Sequence, residues 1–337
     1  MSNAAGTLLQ RVLDGRALGR ALLALSVPLA LAASSGNTEW LSAAIVPVAM
    51  LIALDRSHLA PLGVLMHALA ICAGFVLLTL ASAQPLLFVL TIVLLGMASV
   101  LVTAGGNGLR SLGNFTFIPT LYLACESAAG VAPQALLGRS LAMLPMLLIA
   151  ALPVLLLAWA EQIRAGNGTR LALRHQHSDA SERGAMLEQT MTVGCAVACA
   201  AVLVEWRHVD HGQWVIWSAV SVVTGNAISA RQKFSDRVLG AIGGVCLGIL
   251  AGVLLPDLLP VRLMIALATM LTLVCVRPYR LAFGLRCACA AMALVLTGGP
   301  WLLGGERLLN VALGSTIGLA CALVAARWTA AQCKTAR

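Results

Sequence analysis

The stretch that decides the fold runs from Ile228 to Gly244, ISARQKFSDRVLGAIGG. Arg231, Lys233, Asp236 and Arg237 crowd into seven residues between two apolar runs. One run opens near Trp214, and the other is threaded by Gly240, Gly243, Gly244 and Gly248. Hydrocarbon keeps charge out of the spans, and Lys and Arg collect in the cytoplasmic connections between them. The basic knot is therefore read as the cytoplasmic turn between two transmembrane helices.

The same alternation fills the chain. Of 337 residues, 60% are hydrophobic and 10% charged, and the mean hydropathy is +0.93. Soluble domains carry about 25% charged residues, so this chain has no solvated coat. Its apolar runs, from Ala17 to Trp328, suit helical spans of ~20 residues. The alternating pattern of a membrane barrel is absent, and helices satisfy their own backbone in lipid. Breakers and charges place spans at 17–34, 40–54, 61–82, 85–104, 114–130 and 137–160. A second set follows at 188–206, 213–230, 238–255, 260–276, 281–297 and 307–328.

With the N-terminus inside, eighteen of the 22 Lys and Arg face the cytoplasm, and only Arg139, Arg207, Arg262 and Arg307 lie outside. Dropping one span from either half scrambles that partition. The expectation is an all-α polytopic membrane protein with twelve spans and both termini cytoplasmic. The first twenty residues, MSNAAGTLLQRVLDGRALGR, have no apolar core followed by a cleavage site, so they read as a cytoplasmic leader. Topology accounts for the net charge of +9, and no nucleic-acid partner is implied.

Residues 161–187, including RAGNGTRLALRHQHSDASERG, form a polar linker that is too small for a domain. It divides a first half, 1–160, from a second, 188–337, and the halves resemble each other in order. Trp40 opens the second span as Trp214 and Trp217 open the eighth. Arg56 precedes one glycine-containing span as Lys233 and Arg237 precede another, with Leu62-Gly63 lying on Leu239-Gly240. Arg139 and Arg307 open the last span of each half, and Trp159 and Trp328 close it. Six spans per half make the repeats parallel, as in transporters whose sites lie between halves.

Residues 213–256, QWVIWSAVSVVTGNAISARQKFSDRVLGAIGGVCLGILAGVLLP, resemble the fusaric acid resistance and aromatic acid exporter family. A Trp opens one span, a cytoplasmic basic turn follows, and an Arg-x-x-Gly starts a glycine-rich span; Arg237, Gly240 and Gly244 match that last element. GGERLLNVALGSTIGLACALVA, with Arg307, Gly314 and Gly318, is similar to the family's closing helix. The short linker makes this a compact form without the family's large cytoplasmic domain. The resemblance implies a bacterial inner-membrane exporter of aromatic or other organic carboxylates, driven by the proton motive force. It also implies a periplasmic adaptor and an outer-membrane channel as partners. The same group resembles plant aluminium-activated malate channels, which makes a passive organic-anion channel the alternative.

Arg139 and Arg307 are the leading substrate-binding candidates, since guanidinium suits carboxylate and a charge at the bilayer centre is costly. Snorkelling to lipid phosphate is the competing reading. Arg237 is a candidate for drawing cytoplasmic anions inward. Asn226 and Asn310 either bind substrate or bond between helices. Trp214 and Trp217 either stack on aromatic substrates or sit in an interfacial belt. Glu126, Glu306 and His67 are proton-coupling candidates, against roles as local partners of Arg or as packing residues.

Cys287-x-Cys289 and Cys195-x-x-x-Cys199 lack zinc spacing, and His208, Asp210 and His211 read as a solvated outer loop. Gly105–Gly108 lacks the Lys-Ser/Thr of a phosphate loop. No cofactor and no enzymatic activity are expected, and a homo-oligomer stays open.

Overall fold

Four helices begin where the sequence supplies a cap or a proline. Asp14 caps the first, its carboxylate accepting from the backbone of Arg16 and Ala17 at 3.1 Å each. Gly36, at φ 67°, closes it, a conformation that costs glycine little. Pro61, Pro85 and Pro260 stand in the first turn of three others, where the missing N–H has no helical partner to lose.

The computed structural model describes residues 12–165, 180–224, 227–298 and 301–335. These form twelve principal helical segments: α1 Gly15–Ser35, α2 Glu39–Ser57, α3 Pro61–Ala81, α4 Pro85–Leu101, α5 Arg110–Ala128 and α6 Leu136–Arg164, then α7 Ala180–Arg207, α8 Gln213–Val223, α9 Ala227–Leu254, α10 Leu259–Val274, α11 Tyr279–Leu296 and α12 Trp301–Thr335. The described part is all-α, with one isolated bridge between Leu13 and Val276. Nine of the described helical segments are long and apolar enough to cross a bilayer. Leu86, Leu94, Trp206 and many other large apolar side chains are exposed, as lipid contact requires. The chain is a multi-pass membrane protein. Three segments fall outside the nine: α5, which carries Arg110, Asn114 and Glu126, and the short apolar helices α8 and α10.

Three segments differ from the sequence reading. The last helix begins at Trp301, so Arg307 lies within α12 and does not open it. The basic stretch is no turn: α9 runs through Arg231, Lys233 and Arg237 without a break. No Gly or Pro lies between Ala227 and Leu239, and Arg, Lys and Gln are good helix formers. The chain leaves helix earlier, at Thr224, whose backbone is extended (ψ 110°). Gly225 and Asn226 follow, outside the described residues. The end of the polar linker is helical too, because α7 begins at Ala180.

The helices cluster into two compact units, with cuts after Leu69, Leu141, Val238 and Leu308, inside α3, α6, α9 and α12. The first unit holds α1, α2, the start of α3, the end of α6, the end of α9, α10, α11 and the start of α12. In it α10 packs on α1, α2 and α11. The second holds the end of α3, α4, α5, the start of α6, α7, α8, the start of α9 and the end of α12. In it α4 packs on α5 and α7, and α8 on α7 and α5.

Glycines set the closest approaches. On α9, Gly240, Gly244 and Gly248 repeat every four residues against α11, where a Cβ would meet the carbonyls of Arg280, Gly284 and Ala288. In the second unit, Gly314 and Gly318 of α12 lie on the carbonyls of Val215 and Ala219 of α8. Side chains would hold these backbones apart.

Candidate functional site

The short helix α8 ends at Thr224, whose backbone is extended. Eleven residues rise ~16 Å, short of a ~30 Å hydrocarbon core. Nine of the eleven residues of α8 are buried, so the helix is walled by protein. The last carbonyls of a helix have no intrahelical donor and need another. The side chain of Lys233 meets that need, its Nζ donating to the Thr224 carbonyl and to Thr224 Oγ1 at 3.2 Å. One turn on, Arg237 is only 3% exposed, and its Nη2 donates to Ser218 Oγ of α8 at 2.8 Å. Arg110, at the start of α5, donates to Gln189 Oε1 of α7. Arg110 and Arg237 both stand near enough to Lys233 for their charges to act on it. The result is a three-cation cluster around a helix break.

Beside it opens a cavity of about 530 Å³ lined by Arg110 and by α7, α8, α9 and α12, including Glu188, Gln189, Val223, Ala227 and Thr329. The starts of α5, α7 and α9 meet the ends of α8 and α12 there. Glu188 accepts from Thr329 Oγ1 at 2.6 Å.

The first unit has a counterpart of about 1070 Å³, lined by the start of α1, the end of α2, the start of α3 and the end of α6. At its wall Arg20 of α1 donates through Nη1 to Glu161 Oε1 of α6, and through Nη2 to Asp55 Oδ1 of α2 at 2.6 Å. Arg16, His58, Gln162, Arg164 and Asp14 complete the polar lining. Donation from the Ala17 backbone, then the Arg277 guanidinium, holds the Asp14 carboxyl below the usual carboxylate range.

Three candidates from the sequence meet at the loop between α7 and α8. The Asn310 amide donates to the carbonyls of Asp210 and His211, at 2.8 and 3.5 Å. The His211 ring stacks on Trp214, with centroids 4.7 Å apart. Gln213 Nε2 donates to Glu126 Oε1 at 2.9 Å. His208 and His211 take left-handed backbone there, at φ 49° and 53°, which non-glycine residues seldom adopt. The cluster therefore fixes a strained loop, and Trp214 is buried in it instead of lying in an exposed belt. Trp217 is half-buried one turn along α8.

Arg307 is buried near Cys289 in the first unit, with half-buried Glu306 beside it. Arg139 is exposed at the start of α6. His67 is buried in α3. Asn226 lies outside the described residues. Among the described residues no three His, Cys, Asp or Glu side chains are grouped to hold a metal ion.

Arg110, Lys233, Ser218 and the Arg20–Asp55–Glu161 cluster were not singled out from sequence as site residues. For the last, the signal was there: acids in the final turns of α2 and α6, and a basic first turn on α1.

A family model described as "Fusaric acid resistance protein-like" matches residues 197–321, from the middle of α7 into α12. Lys233, Arg237, Ser218, Arg307 and the glycine stripes fall inside that match; Arg110, Glu126 and Arg139 do not. No curated protein and no solved structure matches the chain.

Proposed function

We propose that this protein is a secondary active exporter of aromatic or other organic carboxylates in a bacterial inner membrane, driven by protons and delivering to a periplasmic adaptor and outer-membrane channel. The observation that carries the reading is the cluster of Arg110, Lys233 and Arg237 at the α8–α9 break, beside the smaller cavity. An anion entering there meets permanent guanidinium charge, together with the partial positive charge of the α9 N-terminus. Two of the three cations and the break lie in the family-matched stretch. Arg139 and Arg307 serve as further anion contacts along the pathway, with Glu126, Glu306 and His67 as residues on a proton route.

The connectivity supports twelve crossings in two fused halves. In the first unit, Asp14 N donates to Cys275 O and Arg277 N to Val12 O, at 2.9 and 3.0 Å. The start of α1 and the end of α10 therefore share a side, and an even number of crossings separates them. Counting α5, α8 and α10 makes that number ten; leaving all three out makes it odd. The unit contents fit a duplication as well. One unit joins the first two helices of the first half to the fourth and fifth of the second, and the other makes the reciprocal choice. Each cavity is lined by the first, second, third and sixth helices of one half, with Arg110 of α5 added in the smaller.

The test is transport by the full chain in proteoliposomes, with labelled 4-hydroxybenzoate as probe. Uphill movement driven by a pH gradient and abolished by a protonophore is the expected result. Anion currents that reverse at the Nernst potential whatever the pH gradient would replace the exporter with a passive channel. That second reading is favoured by the Arg237–Ser218 pair, which needs no proton to hold an anion.

A further inference from the structure

The two cavities are built from corresponding helices but carry different chemistry. The smaller has Arg110 in its lining, and its carboxylate Glu188 accepts from a threonine hydroxyl. The larger has one guanidinium held between two carboxylates. We propose that Asp55 and Glu161, sharing Arg20, form the site from which the exporter releases its coupling proton to the cytoplasm. This rests on the exporter reading and names the residues that make it proton-driven.

Three observations carry it. The cluster joins three helices: Arg20 on α1 reaches Asp55 on α2 and both oxygens of Glu161 on α6, the second at 3.4 Å. Two negative charges against one positive leave the cluster one charge short of neutral, and one proton supplies that charge. Protonating either carboxylate weakens one ion pair and leaves Arg20 to the other, so proton occupancy decides whether α1 is tied to α2 or to α6. Water reaches the site, because the cavity of about 1070 Å³ opens on it and both carboxylates are over a third exposed, while Arg20 is 15% exposed.

The charged groups facing the cluster are few. Arg16 on α1 acts on Asp55, and His58 on α2 and Arg164 on α6 line the same wall. Asp14 is engaged by Arg277. The start of α3 contributes Leu59, Ala60 and Pro61, none of them titratable. On release, the carboxyl O–H bond breaks, the proton passes to cavity water, and the carboxylate returns to Arg20. No other reactant takes part.

The experiment compares wild type, Asp55→Asn and Glu161→Gln in proteoliposomes with labelled 4-hydroxybenzoate in two modes. One is uphill movement under a pH gradient. The other is exchange of labelled for unlabelled probe at equal pH, which needs no net proton movement. The expected result is exchange kept within about twofold, and uphill movement lost by at least about tenfold, inside the usual range of coupling effects. Uphill movement kept in both variants overturns the proposal. Equal loss of both modes in a folded variant also overturns it, reducing the cluster to a structural clasp. Should a neutral variant fail to fold, Asp55→Glu and Glu161→Asp keep the charge and move it by one methylene. A shifted pH profile of uphill movement is then expected, and an unchanged one overturns the proposal. Wild type silent in both modes sinks the exporter reading, and this proposal with it.

Discussion

Arg237 Nη2 donates to Ser218 Oγ at 2.8 Å, so a buried guanidinium on α9 is tied to the short helix before it. The bond joins the two sides of the helix break. A hydrogen bond to a charged group is worth about 1.5–3 kcal/mol, and removing one partner leaves the other buried without it. Ser218→Ala is expected to lower thermal stability while leaving the KM for 4-hydroxybenzoate near wild type, because the charge stays. Arg237→Ala removes the charge as well and is expected to cut the transport rate at least about tenfold, a barrier change of ~1.4 kcal/mol. Transport kinetics and detergent melting curves read the two effects separately. Equal kinetics for both variants would leave Arg237 as a structural tie.

Gly243 and Gly244 are neighbours with opposite surroundings. A Cβ on Gly243 meets nothing within 4 Å, whereas on Gly244 it would be driven into the Gly284 carbonyl of α11. Gly243→Ala is expected to be neutral or to stabilise by up to ~1 kcal/mol, the helix penalty of glycine. Gly244→Ala must push α9 off α11, and overpacking of this kind costs ~1–3 kcal/mol. Melting temperatures of the two variants check the contrast, and equal values would contradict the close approach.

The helices were legible because apolar length and charge position are local properties of the chain. Their ends were less so. Arg231 to Arg237 mark where the chain nears water, but charge says nothing of where it reverses, and the break falls earlier, at Thr224. Arg237 stood out through its Arg-x-x-Gly context and proved buried. Lys233, one turn away, signals only topology in the sequence, because its partner, a backbone carbonyl, leaves no trace there. The Arg20–Glu161 pair spans 141 positions, so only the packing of α1 against the end of α6 reveals it. Asn310 was recognisable as a polar residue in an apolar helix, but the strained loop it holds was not.

That loop makes Asn310 a structural residue first. Its amide donates to two carbonyls of the α7–α8 connection and is 5% exposed. Asn310→Ala takes this donor from the Asp210 carbonyl, at about 1–3 kcal/mol, while the His211 carbonyl keeps the Trp214 N–H at 3.0 Å. A lower melting temperature and faster amide exchange over 208–213 are expected, with the KM for 4-hydroxybenzoate unchanged. A raised KM at unchanged stability would return Asn310 to the substrate pathway.

Asp14 ties the start of α1 to the connection between α10 and α11, through its own N-cap bonds and through Arg277 at 3.3 Å. Its carboxyl is held below the usual range, first by the Ala17 backbone and then by Arg277. A depressed carboxylate contributes its full stability above the unfolded value of about 3.9. That contribution fades as pH falls through the lower folded value. Asp14→Asn is therefore expected to melt below wild type near neutral pH, with the gap closing as pH falls below the folded value. Arg277→Gln should open a smaller gap, because the backbone donation from Ala17 survives it. Melting in detergent from about pH 7 to about pH 2 reads both curves. A gap that stays constant to the acid end would mean that Asp14 acts through its shape and not its charge.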